Sequence, residues 1–369
     1  MQSRAAVMWE SGNQWSVEDI ELDPPKRGEV MVRIVGSGLC HSEEHVVTGD
    51  LPFALPMIGG HEGAGVVEAV GPDVDTLTPG DHVVFSFLPS CGRCPSCATG
   101  HANLCDLGAQ LGAGRQILDG TSRHHARGTD LGLMCLVGAF AEHTVVNEAS
   151  CVKIDPDVPL DKACLLGCGV VTGWGSAVYA GGVKPGDTVA VIGVGGIGIN
   201  AVQGAAMAGA SQVFAIDPVA FKLDQAKVFG ATHTSPSVEE AAEIIGQATA
   251  GRMADKVIMT MGVGSGEMVG AALAMTAKRG RVVVTNIHPA AEMQFTMSGL
   301  DLTLMEKEIV GCLFGSASAR VVIPQLLDYY ARGQLKLDEL VTRTYALDDV
   351  NQGYEDLRQG KNLRGVITF

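Results

Sequence analysis

Charge is scarce in this chain, and positive charge is scarcer still. Of 369 residues only 18% are charged, and 26 Lys and Arg against 41 Asp and Glu leave a formal net charge of -15. A negative field repels phosphate backbones, so nucleic acid is not an expected partner. Aromatic residues make up 5% of the sequence, which predicts an aliphatic core, and the 46% of hydrophobic residues is enough to bury one and so argues against disorder. The 48 glycines follow no Gly-X-Y period and therefore belong to turns and close backbone approaches. Residues 1–10 lack a basic region leading into an apolar stretch, so no secretory signal is expected and the reducing cytoplasm is the expected compartment. One charge-free segment, 188–216, is too often interrupted by Gly and by Asn200, Gln203 and Gln212 to span a membrane. Small molecules remain as the natural partners.

The chain is roughly two to three times the ~150 residues of one domain, so two domains are expected. Up to about residue 150 it reads as short strands, among them 29–35 (EVMVRIV), 63–70 (GAGVVEAV) and 82–87 (HVVFSF). Gly and Pro turns such as Pro24-Pro25, Gly71-Pro72 and Pro79-Gly80 separate them, the pattern of a β-barrel or sandwich. After Pro185-Gly186 the pattern changes to apolar strands at 188–192, 212–216, 256–259, 281–285 and 309–314, with helix candidates at 198–208, 238–247 and 321–332. Near-continuous apolar strands alternating with helices predict a parallel sheet covered on both faces, a doubly wound α/β domain. The tail, 366–369, is expected to return to the first domain.

Gly193, Gly195, Gly196, Ile197 and Gly198 form a G-x-G-x-x-G turn directly after the strand at 188–192 and at the start of a helix. In that place the backbone can approach a pyrophosphate and aim helix N–H groups at it. Asp217 closes the next strand, where an acid accepts from the adenosine ribose and repels a 2′-phosphate; no arginine follows closely, so NAD is expected over NADP. Lys222 is a further candidate for the ribose. The competing reading is that the glycines serve only close helix–strand packing.

Four of the ten cysteines, Cys91, Cys94, Cys97 and Cys105, fall within fifteen residues. In a reducing compartment such crowding reads as metal ligation, and four thiolates close a tetrahedron around a structural zinc. A second set is dispersed: Cys40 with His41, His61 with Glu62, and Cys168 between two glycines. Two thiolates and an imidazole suit a catalytic zinc with an open fourth position. Taken singly, a buried cysteine or a satisfied core histidine is the alternative for each, and sequence separation leaves both readings open.

These motifs together, Cys40-His41-Ser42, Gly59-Gly60-His61-Glu62-Gly63, the four-cysteine lobe, Gly167-Cys168-Gly169 and Gly193–Gly198, occur in the order of the zinc-containing medium-chain alcohol dehydrogenases, which the chain resembles from near its start to Lys361-Asn362-Leu363-Arg364. The resemblance implies a β-rich GroES-like catalytic domain over 1–169 and 314–369, with a Rossmann NAD-binding domain inserted at 170–313. It implies two zinc ions per chain, a catalytic one on Cys40, His61 and Cys168 and a structural one on the lobe. By the same resemblance Ser42 contacts the substrate oxygen and His45 ends a proton relay, for which imidazole is suited because its ordinary titration lies closest to neutral pH. His41 and Arg364 would face the cofactor pyrophosphate and Thr172 the nicotinamide. The family usually has an aspartate where this chain has Glu43, expected to orient the zinc-bound histidine. Glu62 is a second carboxylate near the metal, with a catalytic role expected.

The implied reaction is hydride transfer between a primary or other small alcohol and NAD, giving an aldehyde or ketone. The segments around 40–45 and 193–203 are similar to bacterial nicotinoproteins, which hold NAD tightly and pass its electrons to an external acceptor. The alternatives are a glutathione- or other thiol-adduct formaldehyde dehydrogenase and, from another class, a non-catalytic dinucleotide-binding zinc protein; Cys168 speaks against the polyol dehydrogenases, which tend to carry a carboxylate there. The long stretch 107–138 is expected to be a loop bordering the substrate channel, where Arg115, Arg123, His124 and His125 could meet a polar substrate group. The apolar run 309–314 predicts an edge strand that needs a partner, and the resemblance implies that it pairs across a homodimer or homotetramer.

Overall fold

The computed structural model describes residues 1–49, 53–289 and 291–369. They form two compact units, Met1–Cys168 together with Ser318–Phe369, and Gly169–Ala317. The first junction lies one residue earlier and the second four residues later than the sequence suggests. Helix Gly169–Gly175 opens the second unit, and the tight turn Phe314–Ser316 packs on that helix, which carries both into the second unit.

The first unit is built from two sheets. One has six strands in the order Thr129–Asp130, His124–Ala126, Ser16–Leu22, Gln2–Met8, Met57–Ile58 and Gly132–Leu133. The other centres on the long strand Glu29–Gly38, which pairs antiparallel with Gly63–Val70, His143–Asn147 and Arg364–Thr368. One strand serves three partners because residues 29–33 and 36–38 pair with different strands, while the ladder with Gly63–Val70 runs past both; that ladder shifts register between Met31 and Val32 and again between Ile34 and Gly36, irregularities of the kind that bend a strand. The C-terminal strand thus sits in the first unit, beside residues 36–38. Its core is aliphatic, with Val7, Ile20, Val30, Val32, Ile34, Ile58 and Val83 buried, while a smaller cluster gathers the rings of Trp15, Phe140 and Tyr354.

The stretch 107–138 is not a loop. It carries the helical turn Asp106–Ala113 and three short strands, His124–Ala126, Thr129–Asp130 and Gly132–Leu133, which join the first sheet. Turn residues dominate its sequence, and pairing across the sheet supplies the order that local propensity lacks.

The second unit is a six-stranded parallel sheet in the order His233–Ser235, Gln212–Ile216, Thr188–Ile192, Ala254–Met259, Thr276–Val284 and Glu308–Gly311. Numbered along the chain this is 3-2-1-4-5-6, the Rossmann order, whose direction reverses beside the first strand and leaves a crevice there for a dinucleotide. The strands 188–192 and 212–216 match the sequence expectation, and every residue of the first is buried. Helix Val238–Ala248 begins at Ser237, whose side chain accepts from the Glu240 backbone N–H, a capping arrangement that satisfies an otherwise orphaned donor. Strand Thr276–Val284 begins earlier than the apolar run predicts, whereas the strand within 309–314 ends at Gly311. Among the described residues no single helix is long and apolar enough to cross a membrane.

Candidate active site and metal centres

In the first unit, Cys40, His61, Glu62 and Cys168 converge, with one ligand atom of each lying within 4.8 Å of the others. Cys40 is the extended residue that caps helix His41–Thr48. His61 follows Gly60, whose φ of +86° turns the chain where an added Cβ would come within 2.5 Å of the Phe140 backbone nitrogen. Cys168 closes the turn Cys164–Gly167. Three distant segments thus deliver their donors to one dry place: Cys40, His61 and Cys168 are 7%, 1% and 5% exposed.

The neighbouring Cys168 sulfur holds Cys40 well below the ordinary thiol range, while Cys40 and burial raise Cys168 well above it. Burial opposes charge on His61, but Glu43 and Cys168 overcome it and raise the imidazole. His61 Nε2 is buried with no hydrogen-bond partner among the described residues, while its Nδ1 lies 2.5 Å from Glu43 Oε1. One ring nitrogen held by a carboxylate and the other left open toward two sulfurs is the arrangement of a zinc-ligating histidine, so the donor set fits zinc. Glu43 Oε1 also accepts from the His61 backbone N–H at 3.2 Å.

Glu62 and Arg364 form an ion pair inside the same unit, 0% and 3% exposed. Burial pushes Glu62 up to about 7, with the Arg364 charge opposing that shift. Arg364 Nη2 also donates to the Leu39 carbonyl oxygen at 3.1 Å. The guanidinium is thus engaged with Glu62 and the backbone, a partnership the sequence does not reveal. Ser42 Oγ lies 3.7 Å from Cys40 Sγ, and His45 is buried on the same helix, whereas His41 at its first position is exposed. The Phe87 ring packs edge-on against His61 with centroids 5.6 Å apart.

The four lobe sulfurs also cluster within 4.8 Å. Cys91 and Cys97 lie 4.0 Å apart and Cys94 and Cys105 3.9 Å, close to the edge of about 3.8 Å expected for a tetrahedron with ~2.3 Å zinc–sulfur bonds. Backbone N–H groups point at the sulfurs, from Cys94 to Cys91 at 3.3 Å and from Cys91 to Cys105 at 3.4 Å. The Arg93 N–H is the main cause that lowers Cys91 to about 6. The four lobe cysteines are free thiols, and the donor set again fits zinc.

In the second unit the Gly-rich turn lies where the sequence puts it, between strand Thr188–Ile192 and helix Gly198–Met207. Its glycines differ in purpose. A Cβ at Gly193 would meet Met261 Cα at 2.6 Å and one at Gly198 would meet Thr260 Oγ1 at 2.6 Å, so packing explains these two. Gly195 has open space around its missing Cβ, so packing does not explain it. A bare backbone facing an open cradle at a helix N-terminus fits a pyrophosphate. Gly196 and Ile197 complete the turn. Asp217 is buried; its two oxygens accept from the Val194 N–H at 3.1 Å and the Val219 N–H at 2.9 Å, and Lys222 Nζ lies 3.7 Å away. Thr172, on helix Gly169–Gly175, is buried with Oγ1 lacking a partner among the described residues.

The four basic candidates of the 107–138 stretch do not form a substrate-facing group. Arg123 is 1% exposed and bidentate on Glu29, at 2.8 and 2.6 Å. His124 is fully buried and accepts from the Val145 N–H at 3.2 Å. Arg115 donates to the Leu131 and Asp130 carbonyl oxygens, and His125 lies between Asp23 and Asp130. They hold the sheet together because the segment that carries them is itself part of that sheet.

The class is shared with known proteins. Residues 26–156 match the alcohol dehydrogenase GroES-like domain and 196–332 the zinc-binding dehydrogenase domain. The chain is 50% identical over 370 residues to alcohol dehydrogenase B of Mycobacterium tuberculosis, covering 100% of this chain and 99% of that one. It is likewise 50% identical over 367 residues to the NDMA-dependent alcohol dehydrogenase of Amycolatopsis methanolica, covering 100% and 99%. Among solved structures it is similar to an alcohol dehydrogenase zinc-binding domain protein from Burkholderia ambifaria, with a TM-score of 0.94, 32% identity and 100% and 99% coverage. Benzyl alcohol dehydrogenase from Acinetobacter calcoaceticus gives a TM-score of 0.90, 30% identity and the same coverage. The chain belongs to the zinc-binding alcohol dehydrogenase family.

Proposed function

We propose that this chain oxidises a primary or other small alcohol to its aldehyde or ketone, using one zinc on Cys40, His61 and Cys168 and NAD on the Gly193–Gly198 turn. The buried Cys40–His61–Cys168 set, with His61 Nε2 open toward the two sulfurs, is the observation that carries this reading. Zinc in that set would make an alcohol hydroxyl more acidic, and NAD would accept the hydride from the carbinol carbon. The chain's own residues do the rest. Glu43 holds the His61 ring in one tautomer through Nδ1. In this reading Ser42 Oγ, beside Cys40, takes the hydroxyl proton and His45, on the same helix, passes it outward. Glu62 and Arg364 neutralise one another behind the site, which limits the charge that the buried cluster must carry. Asp217 accepts from the adenosine ribose and Lys222 supports it from 3.7 Å.

NAD stays bound through the cycle in this reading and is reoxidised in place by an external electron acceptor. The 50% identity to a relative named NDMA-dependent alcohol dehydrogenase favours it. The chain works as a homo-oligomer in a reducing compartment: strand Glu308–Gly311 is paired on one side only, and ten thiols are free. Elemental analysis should give two zinc per chain, and Cys168→Ser should hold one and lose alcohol oxidation while remaining folded. Denaturing the purified protein should release about one NAD(H) per chain. A Cys168→Ser variant with normal turnover would remove Cys168 from the site. Absence of bound nucleotide with full turnover on added NAD would show an ordinary exchanging dehydrogenase.

A further inference from the structure

Two buried oxygens lack a hydrogen bond of satisfactory geometry among the described residues: Glu43 Oε2 and the Tyr354 hydroxyl. Glu43 uses its other oxygen, Oε1, for both the ring and the backbone N–H of His61. Tyr354 belongs to helix Val350–Arg358 and is 1% exposed. Its ring stacks on Trp15, with centroids 6.4 Å apart, and lies edge-on to Phe140 at 6.3 Å, so the hydroxyl is delivered by a ring with little freedom. Burial first, then the charge of Glu43, raise Tyr354 well above the usual phenol range, and a side-chain hydrogen-bond interaction with that carboxylate is among the causes. The hydroxyl therefore keeps its proton and can only serve Glu43 as a donor.

We propose that Tyr354 is a positioning residue for the catalytic metal site: its hydroxyl donates to Glu43 Oε2 and so fixes the carboxylate that orients His61. Glutamate reaches its target through three side-chain torsions, and one hydrogen-bonded oxygen leaves it free to pivot about that contact. Fastening the second oxygen to a packed ring removes the pivot and directs His61 Nε2 at the position between the two sulfurs. The role rests on the reading of Cys40, His61 and Cys168 as a zinc set.

Tyr354→Phe keeps the ring and removes only the hydroxyl. In the purified holoenzyme the zinc of the four-cysteine lobe should be released to a chelator at the unaltered rate. Zinc on the other set should leave roughly five-fold faster or more, somewhat below the 10–100-fold effects of residues that touch a ligand directly. Cobalt(II) substituted at that set should show displaced ligand-field bands. Glu43→Gln should loosen the same metal ion, and Tyr354→Phe should add little to it, because both act through one carboxylate. Release from Tyr354→Phe at the original rate with an unchanged cobalt spectrum would overturn the proposal. An undiminished effect of Tyr354→Phe in the Glu43→Gln background would also overturn it, since the tyrosine would then act through packing alone. A parent protein that holds zinc only in the lobe would instead refute the functional reading on which the proposal stands.

Discussion

Arg123→Met separates a structural arginine from a substrate-binding one. In the structure Arg123 donates through Nε and Nη2 to Glu29 at 2.8 and 2.6 Å, and through Nη2 to Asp119 at 2.7 Å. The side chains of Arg123 and Glu29 are 1% and 2% exposed. Methionine fills much of the same volume but, among the described residues, leaves Glu29 the Lys26 N–H, at 2.9 Å, in place of three donors. An uncompensated buried carboxylate of this kind costs about 3–5 kcal/mol, because the charge has lost both water and its counter-ion. For a unit of this size that is a fall of roughly 6–20 °C in the unfolding midpoint, at about 2–4 °C per kcal/mol. Replacing both partners, as in Glu29→Leu with Arg123→Met, removes the stranded charge and should recover most of the loss. Urea unfolding at 25 °C measures all three proteins, and alcohol KM is followed in parallel below the transition. A loss under about 1 kcal/mol for Arg123→Met, or a double variant no better than the single, would refute the ion-pair argument. A raised KM with unchanged stability would return Arg123 to the substrate.

Burial, with the charges of His125 and Arg123, pushes His124 down to about 3. In the unfolded chain a histidine takes up its proton near pH ~6.5, so the unfolded state binds more protons than the native one between these values. The stability due to a neutral His124 is complete above about pH 6.5 and drains away as pH falls toward 3. By pH 5 it should have lost about 2 kcal/mol, at 1.36 kcal/mol per pH unit, and the gap between the parent and His124→Gln should narrow by that amount from pH 7 to pH 5. A gap that stays constant over this interval would show that His124 does not titrate as argued. Cys105→Ser should lower zinc from two per chain to one and expose 91–105 to proteolytic nicking, since the lobe has little core of its own; retention of two zinc would exclude Cys105 as a ligand. In contrast to Cys168→Ser, that variant should keep its cobalt-substituted active-site spectrum.

Several parts of the molecule were legible from local pattern because local physics determines them. The apolar strands 188–192 and 212–216 read as buried parallel strands, and the Gly-rich turn between strand and helix lies as its spacing indicates. The four lobe cysteines are near neighbours in the chain, so their short spacing already limits how far apart the sulfurs can lie. Other parts were not legible. Arg123, His124 and their neighbours read as loop residues because the signal for a two- or three-residue strand is weaker than the turn chemistry around it. Nothing in the spacing of Glu62 and Arg364, or of Glu43 and Tyr354, marks them as partners.

By itself the sequence determined the two-part organisation, the parallel sheet with its dinucleotide turn, and the four-thiolate lobe. Periodicity, glycine placement and ligand type are properties of neighbouring residues, and they survive in any conformation of the chain. Tertiary structure alone decided which distant groups share a dry cavity. There Cys40, His61 and Cys168 become one donor set, Glu43 turns from an unusual substitution into the carboxylate that holds the His61 ring, and Arg364 becomes the counter-ion of Glu62. The physical reason is that desolvation and charge pairing act over a few ångströms in space, whatever the separation along the chain.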